Sequence, residues 1–537
     1  MKHLIILFVL PQLVFSQSEI SFTMWIGFTD KGNIYNNSYN ASDLFSERAI
    51  QRREKQNISI DFTDYPLNSD YLNEIRQMDV QILKQSKWFN GIIVSSKDST
   101  LLKNLLLLPF VNNVDTLAAE ITSDTNRRSS KFEAILVNDN TYGTANNQIE
   151  MIGGISLHEQ GFMGQGIHIA VLDAGFGNTN ELGAFSHLYS NNQLLGTWDF
   201  VDQEPVVYES SSHGMSVLST MAGLIEGEYI GTAPEASYWL LKTEDPNSET
   251  LIEEYNWAIA AEFADSVGVD IINSSLGYTT FDIPSQNHTY ADMDGQTTII
   301  TKAATLAARK GMIVCNSAGN SGNKSWKYIG APADADSILT VGGVDAEQEV
   351  SVFSSFGPSA DGRVKPNVSA QASATAIINR YNNVSYSNGT SFSSPIVAGM
   401  TACLWQAHYE KTNMQLIDAI IRSAHLYQNP DNQLGYGIPN FSLANALLLD
   451  VEDINKPTLE VYPNPANAES TIYIYSANAS AVSYKILDLS GKVVDMGEVK
   501  WNFSRFAINL TSLQSGMYIV EVKAGDIVLV EKLSVVD

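Results

Sequence analysis

The sequence predicts an α/β protein in which helices cover both faces of a parallel sheet, with an α+β unit before it and an all-β unit after it. Three observations carry this. Between about residues 145 and 449, short apolar runs alternate with helical stretches, as in strands buried on both faces. Between about residues 18 and 130, strand-like and helical segments are mixed. Beyond about residue 456 helical periodicity stops and strand-length runs follow one another, as in a small antiparallel sandwich.

Residues 1–17 read as a secretory signal peptide. Lys2 supplies a positive start, residues 4–10 are an unbroken apolar run, and Ser16-Gln17-Ser18 is polar; the run is too short to span a bilayer. In residues 18–130, segment 22–28 alternates as a strand and 91–95 is strand-like. Segment 44–56 is a charged helix opening at Ser42 and Asp43, and 71–85 again has helical spacing. The polar stretch 122–131, with Arg127-Arg128, reads as an exposed linker suited to cleavage.

In residues 145–449 the strands are 166–172, 238–241, 269–273, 312–315 and 338–341, and the helices between them include 251–266 and 301–310. Ligands are expected at the carboxyl ends of such strands. In residues 456–537, segments 471–475, 482–486, 517–522 and 527–530 read as strands, with turns at Ser490-Gly491-Lys492 and Ala524-Gly525-Asp526. Asp453 to Pro457 reads as a polar linker, and no segment reaches transmembrane length.

Of the 537 residues, 44% are hydrophobic and 17% charged, the balance of a folded chain. Asp and Glu number 59 against 32 Lys and Arg, a net charge of −27. Such a surface repels phosphate backbones and anionic headgroups, which argues against nucleic-acid and membrane-surface partners. The two cysteines, Cys315 and Cys403, cannot build a disulfide framework or a zinc site. Both lie in apolar patterns, so two inert buried thiols are expected rather than one bridge.

Four motifs in the middle region carry chemistry. Leu172-Asp173-Ala174-Gly175 puts a carboxylate at the end of a core strand, and Gly175 permits a sharp exit. Ser212-His213-Gly214 opens a helical run, and of eight histidines only His213 has both a following glycine and such a run. Asn316-Ser317-Ala318-Gly319-Asn320 follows a strand with small residues that leave a cleft. Alone, each of these reads equally as a cap, a structural histidine or a turn. Asn388-Gly389-Thr390-Ser391-Phe392-Ser393-Ser394-Pro395 is more specific. It sets Ser391 at a helix N-terminus, where free N–H groups favour a developing negative charge.

Together, in the order Asp, His, Asn, Ser, these motifs resemble the subtilisin-like serine peptidases over about residues 150–447. The resemblance implies Ser391 as nucleophile, His213 as general base and then acid, Asp173 as its orienting carboxylate and Asn320 as an oxyanion donor. It implies a polypeptide substrate bound as an added strand, with Ser275, Leu276 and Gly277 as one wall and Ala318 and Gly319 as the other. Gly330, in Gly330-Ala331-Pro332, would form the pocket floor. That floor offers no charge, so a large apolar side chain is expected there. Ala174, Met215, Phe392 and Tyr278 stand where the family has other residues, which puts specificity and rate in question but not the reaction.

The flanks resemble family parts as well. Residues 18–130 are similar to an inhibitory, folding-assisting pro-region. Val461-Tyr462-Pro463-Asn464-Pro465 and Gly516-Met517-Tyr518 resemble a type IX secretion sorting domain, with an adhesive or carbohydrate-binding sandwich as the alternative. The protein is therefore expected to be secreted or held at the cell surface, with secretion machinery as partner. No cofactor is required. Several family members bind structural calcium, but Asp292-Met293-Asp294-Gly295 reads equally as an acidic turn and no metal ligand is assigned. The rival to an active endopeptidase is a catalytically weak surface-binding protein on the same scaffold.

Overall fold

The computed structural model describes residues 21–32, 39–78, 80–98, 101–120, 142–449, 460–462, 464–467, 471–475, 481–500, 505–510, 513–524 and 527–536. The expected signal peptide and the linkers 122–131 and 453–457 lie outside the described residues. The chain forms two compact units, one through Phe441 and one from Ser442.

The first unit begins with strands β1 (Ser21–Phe28), β2 (Gln81–Ser86), β3 (Gly91–Ser96) and β4 (Val111–Glu120) in the order β2-β3-β1-β4. Helices α1 (Glu47–Lys55) and α2 (Ser69–Arg76) lie between β1 and β2. The N-caps are Ser46 and Asn68, whose side chains accept backbone N–H groups; Ser42 and Asp43 lie instead in a separate four-residue helix, Ala41–Leu44, that breaks before Glu47. The helical reading of 71–85 is wrong at its end. Gln81–Ser86 leaves the helix and pairs antiparallel with Gly91–Ser96.

The larger sheet of this unit has seven strands. In chain order they are β5 (His168–Asp173), β6 (Leu194–Asp199), β7 (Ser237–Lys242), β8 (Ile271–Ser274), β9 (Ile313–Ser317), β10 (Leu339–Val344) and β11 (Val368–Gln371). Their order is β11-β10-β9-β8-β5-β7-β6 and every pair is parallel. Its helices are α3 (His213–Ala222), α4 (Leu251–Val267), α5 (Ile299–Arg309), α6 (Thr390–Ala407) and α7 (Asn413–Arg422). Trp257 of α4 is fully buried among Ala170, Leu172, Ile272 and Val314, which packs the helix onto the sheet.

From β5 the chain runs to one side, through β6 and back to β7, and from β8 it builds the other side. The reversal leaves a crevice at the carboxyl ends of β5 and β8, which is where α/β sheets bind ligands.

The N-terminal sheet packs on α4. Trp25 stacks on Tyr255 with ring centroids 4.5 Å apart, and Ile93 and Leu117 join the same cluster. Glu262 accepts the Ser86 hydroxyl and the N–H groups of Lys87 (2.9 Å) and Trp88 (3.3 Å), capping the β2–β3 turn. Arg52 pairs with Asp265, both fully buried, and Arg53 bridges Asp64 at 2.8 Å and Asp265 at 2.6 Å.

The second unit is all-β beyond its first helical residues. One sheet joins Glu460–Tyr462, Thr471–Tyr475 and Arg505–Asn509. The other joins Ala466–Asn467, Ala481–Asp488, Val493–Lys500, Gly516–Ala524 and Ile527–Val536. Ile486, Ile508, Val520, Val522 and Leu533 supply its buried apolar side chains. Among the described residues no helix is long and apolar enough to cross a membrane.

Candidate active site

Asp173 closes β5 and is fully buried, while His213 is the first residue of α3 with its side chain 38% exposed. Imidazole Nδ1 lies 2.7 Å from Asp173 Oδ1, which also accepts the Ala174 N–H at 2.8 Å. Gly214 makes this approach possible. A Cβ there would sit 2.6 Å from the Gly175 carbonyl oxygen and 2.8 Å from Asp173 Cβ. Burial works against a charged imidazole, but the Asp173 carboxylate outweighs it by charge and hydrogen bond, so the His213 pKa is raised. Asp173 Oδ2 is buried without a hydrogen-bond partner among the described residues.

Ser391 lies at the start of α6, in a turn opened by Gly389 at φ +146°. Helices α3 and α6 pack together, and the His213 ring lies 6.1 Å from that of Phe392, the residue after Ser391. No hydrogen bond joins the Ser391 hydroxyl to His213 among the described residues, a common state in unliganded sites of this kind. The helix begins at Thr390, earlier than the apolar run from Ile396 suggests, so Pro395 is interior to it. Having no N–H, Pro395 cannot serve the carbonyl four residues back, which is that of Ser391. The Ser275 hydroxyl donates to that carbonyl instead, at 2.8 Å. The cleft wall is thereby tied to the serine.

Asn320 follows β9, and its Oδ1 accepts the Thr390 N–H at 2.9 Å and the Thr390 hydroxyl at 3.1 Å. Its Nδ2 is left as a donor beside the Ser391 turn, where a Cβ on Gly389 would lie 3.6 Å from it. Gly319 N–H in turn donates to the Thr390 hydroxyl at 3.1 Å.

Ser391 and Asn320 open on a cavity of about 270 Å³. Its lining includes Ser275, Leu276, Gly277, Ala318, Gly319 and Gly330, so every substrate-binding residue read from the sequence reaches one cleft. Tyr278 and Ala331 exchange backbone hydrogen bonds at 2.8 and 3.2 Å, joining wall to floor. The uncharged floor at Gly330 is not the whole lining. Glu244 and Glu249 also line the cavity, with Trp326 and Tyr328. The Tyr278 hydroxyl donates to Glu244, so this unexpected tyrosine is part of the same departure. A signal was present: Glu244 lies two residues past the carboxyl end of β7, where ligand-facing groups are expected.

The acidic turn after the cleft wall turns its carboxylates on itself. Asp292 accepts from the N–H and hydroxyl of Thr289, and Asp294 accepts from Gln296 and Thr297, so both carboxylates serve their own turns. Among the described residues no group of three or more acidic, histidine or cysteine side chains is arranged to hold a metal. Cys315 and Cys403 are buried and unpaired, and burial raises both thiol pKa values.

Fold and cleft define the class as an α/β protein with a crevice at the carboxyl ends of its parallel strands. Its similarities narrow that class. Residues 164–437 match the Subtilase family, residues 23–133 the Peptidase S8 propeptide domain of Bacteroidota, and residues 460–536 the Secretion system C-terminal sorting domain. The chain is 30% identical over 300 residues to Subtilisin NAT of Bacillus subtilis subsp. natto, covering 55% of this chain and 70% of that protein. It is equally 30% identical over 300 residues to Subtilisin of Bacillus pumilus, covering 55% and 97%. To the Thermostable alkaline protease of Halalkalibacterium halodurans it is 28% identical over 283 residues, covering 52% and 68%. The chain belongs to the subtilase family. It is a serine endopeptidase with a propeptide and a type IX sorting domain, secreted or held at the cell surface.

Proposed function

We propose that the enzyme cuts polypeptides through an acyl-enzyme formed on Ser391. His213 takes the Ser391 proton as the hydroxyl attacks the scissile carbonyl, then gives it to the leaving amine. Asp173 holds the ring with Nδ1 protonated and stabilises the imidazolium. The Ser391 N–H has no intrahelical acceptor at the helix start, and with Asn320 Nδ2 it would receive the oxyanion. Water then repeats the steps to release the acid. The 2.7 Å contact between buried Asp173 and half-exposed His213, beside the helix that starts at Ser391, supports this reading most directly.

A fluorophosphonate probe tests it. Only a serine activated by its neighbour should label, so the wild-type enzyme is expected to gain the adduct mass on Ser391 and Ser391→Ala none. A mature protein that stays unlabelled would instead be a surface-binding protein on the same scaffold.

A further inference from the structure

We propose that the cleft beside Ser391 selects substrates with a basic side chain, arginine or lysine, held by Glu249 with Glu244 beneath it. This rests on the peptidase reading above and specifies its substrate.

The cavity that reaches Ser391 and Asn320 is lined by two carboxylates and by no lysine, arginine or histidine. The net acidity of the chain does not account for them. Solubility is served by exposed acids, whereas Glu244 is only 8% exposed, and burying a carboxylate without a cation is costly. A third, Glu253, is 2% exposed close behind them and accepts N–H groups of Asp245 and Thr250 at 3.0 and 2.8 Å.

The two lining acids differ in what they are free to do. Glu244 is fixed, one oxygen taking the Thr243 hydroxyl at 2.8 Å and the other the Tyr278 hydroxyl. Glu249 uses only its backbone, exchanging hydrogen bonds with Asp282 at 2.9 and 3.0 Å. No hydrogen bond or ion pair engages its carboxylate among the described residues. Glu249 is thus the acid able to meet an incoming cation, and Glu244 deepens the negative potential below it. Trp326 and Tyr328 line the same cavity and bring aromatic surface to the stem of an arginine or lysine.

Burial first, then the negative charge of neighbouring acids, raises the pKa of Glu249 to about 7, of Glu244 to about 8 and of Glu253 to about 9. The groups that face them are these three, Tyr278, Asp173, His213, and Asp282 on the insertion after the cleft wall. The carboxylates gain charge as pH rises, so preference for a cation strengthens from about pH 6 to about pH 9.

The experiment uses mature wild-type enzyme and fluorogenic peptides that differ only in arginine or its neutral isostere citrulline, placed in turn at the four residues before the scissile bond. At one position arginine is expected to raise kcat/KM about tenfold or more over citrulline. That ratio should grow with pH, fall toward unity in Glu249→Gln, and invert in Glu249→Lys. The pH dependence of the wild-type ratio provides a test that no variant needs to fold for. Enzyme that labels with the fluorophosphonate yet shows no arginine preference at any position, or a ratio independent of pH, overturns the selectivity and leaves the triad standing. Enzyme that does not label overturns both.

Discussion

The bond from Ser275 to the Ser391 carbonyl exists because Pro395 withholds an N–H from the helix, so the two residues should be energetically coupled. Ser275 and Ser391 are both buried, and the contact is 2.8 Å. Ser275→Ala leaves a buried carbonyl without a donor, at a cost of about 1–3 kcal/mol. In a domain of this class each kcal/mol lowers Tm by about 2–4 °C. Pro395→Ala returns an N–H to the ladder, and on that background Ser275→Ala should cost under about 0.5 kcal/mol, a coupling of about 1 kcal/mol or more. Thermal unfolding of the four proteins of this cycle, all carrying Ser391→Ala so that self-digestion does not intervene, measures it. If Ser275→Ala destabilises equally with and without Pro395, the donor is not replacing the missing ladder bond and the argument fails.

Asn320→Ala should fold normally and lose about two to three orders of magnitude in kcat with little change in KM, a magnitude taken from loss of such a donor in a subtilisin; near-full turnover would remove Asn320 from the site. Since the His213 pKa is raised and its neutral form is the base, the acid limb of kcat/KM should fall above pH 6.5, the ordinary imidazole value. Removing the carboxylate in Asp173→Asn should move that limb down in pH as well as slow the reaction, and an unmoved limb would count against the pair. Deleting residues after about 456 should leave an active protease that no longer reaches the surface or medium of its host, as cell fractionation reports. Ser391→Ala precursor, expressed where no other protease acts on it, should keep its N-terminal unit on a gel, whereas trimming as complete as in the wild type would rule out self-processing.

The parts of the fold legible in the sequence are those where local pattern and tertiary role agree. Strands β5 and β8 to β10 each carry an apolar stretch and are buried along nearly their whole length, because neighbours cover both their faces. The sheet edges were not read. Leu194–Asp199 is half-buried and Val368–Gln371 is mostly small or polar, so neither carries such a run. Segment 81–86 reads as a continuation of the preceding helix because nothing local marks its partner, Gly91–Ser96, which sets it as a strand. The candidate catalytic residues were visible because each sits in a short string with glycine or proline in fixed places. Glu244 and Glu249 were not, since no string joins them to Ser391 and only the folded crevice brings them to it.

Helix α4 links the cleft to the N-terminal unit. Glu249 precedes its cap at Thr250 and Glu253 lies in its first turn, where the helix dipole favours negative charge. Glu262 and Asp265 lie toward its other end, where the dipole disfavours acids, and there the N-terminal unit supplies the compensation: backbone N–H groups for Glu262 and two arginines for Asp265. These contacts lie on the helix and not at the scissile site. Cutting the chain in the stretch that holds Arg127, Arg128 and Lys131 leaves the stacked Trp25 and Tyr255 rings and the buried ion pairs in place. A cut there is therefore expected to precede release as a separate event, and release would expose Asp265 without its arginines.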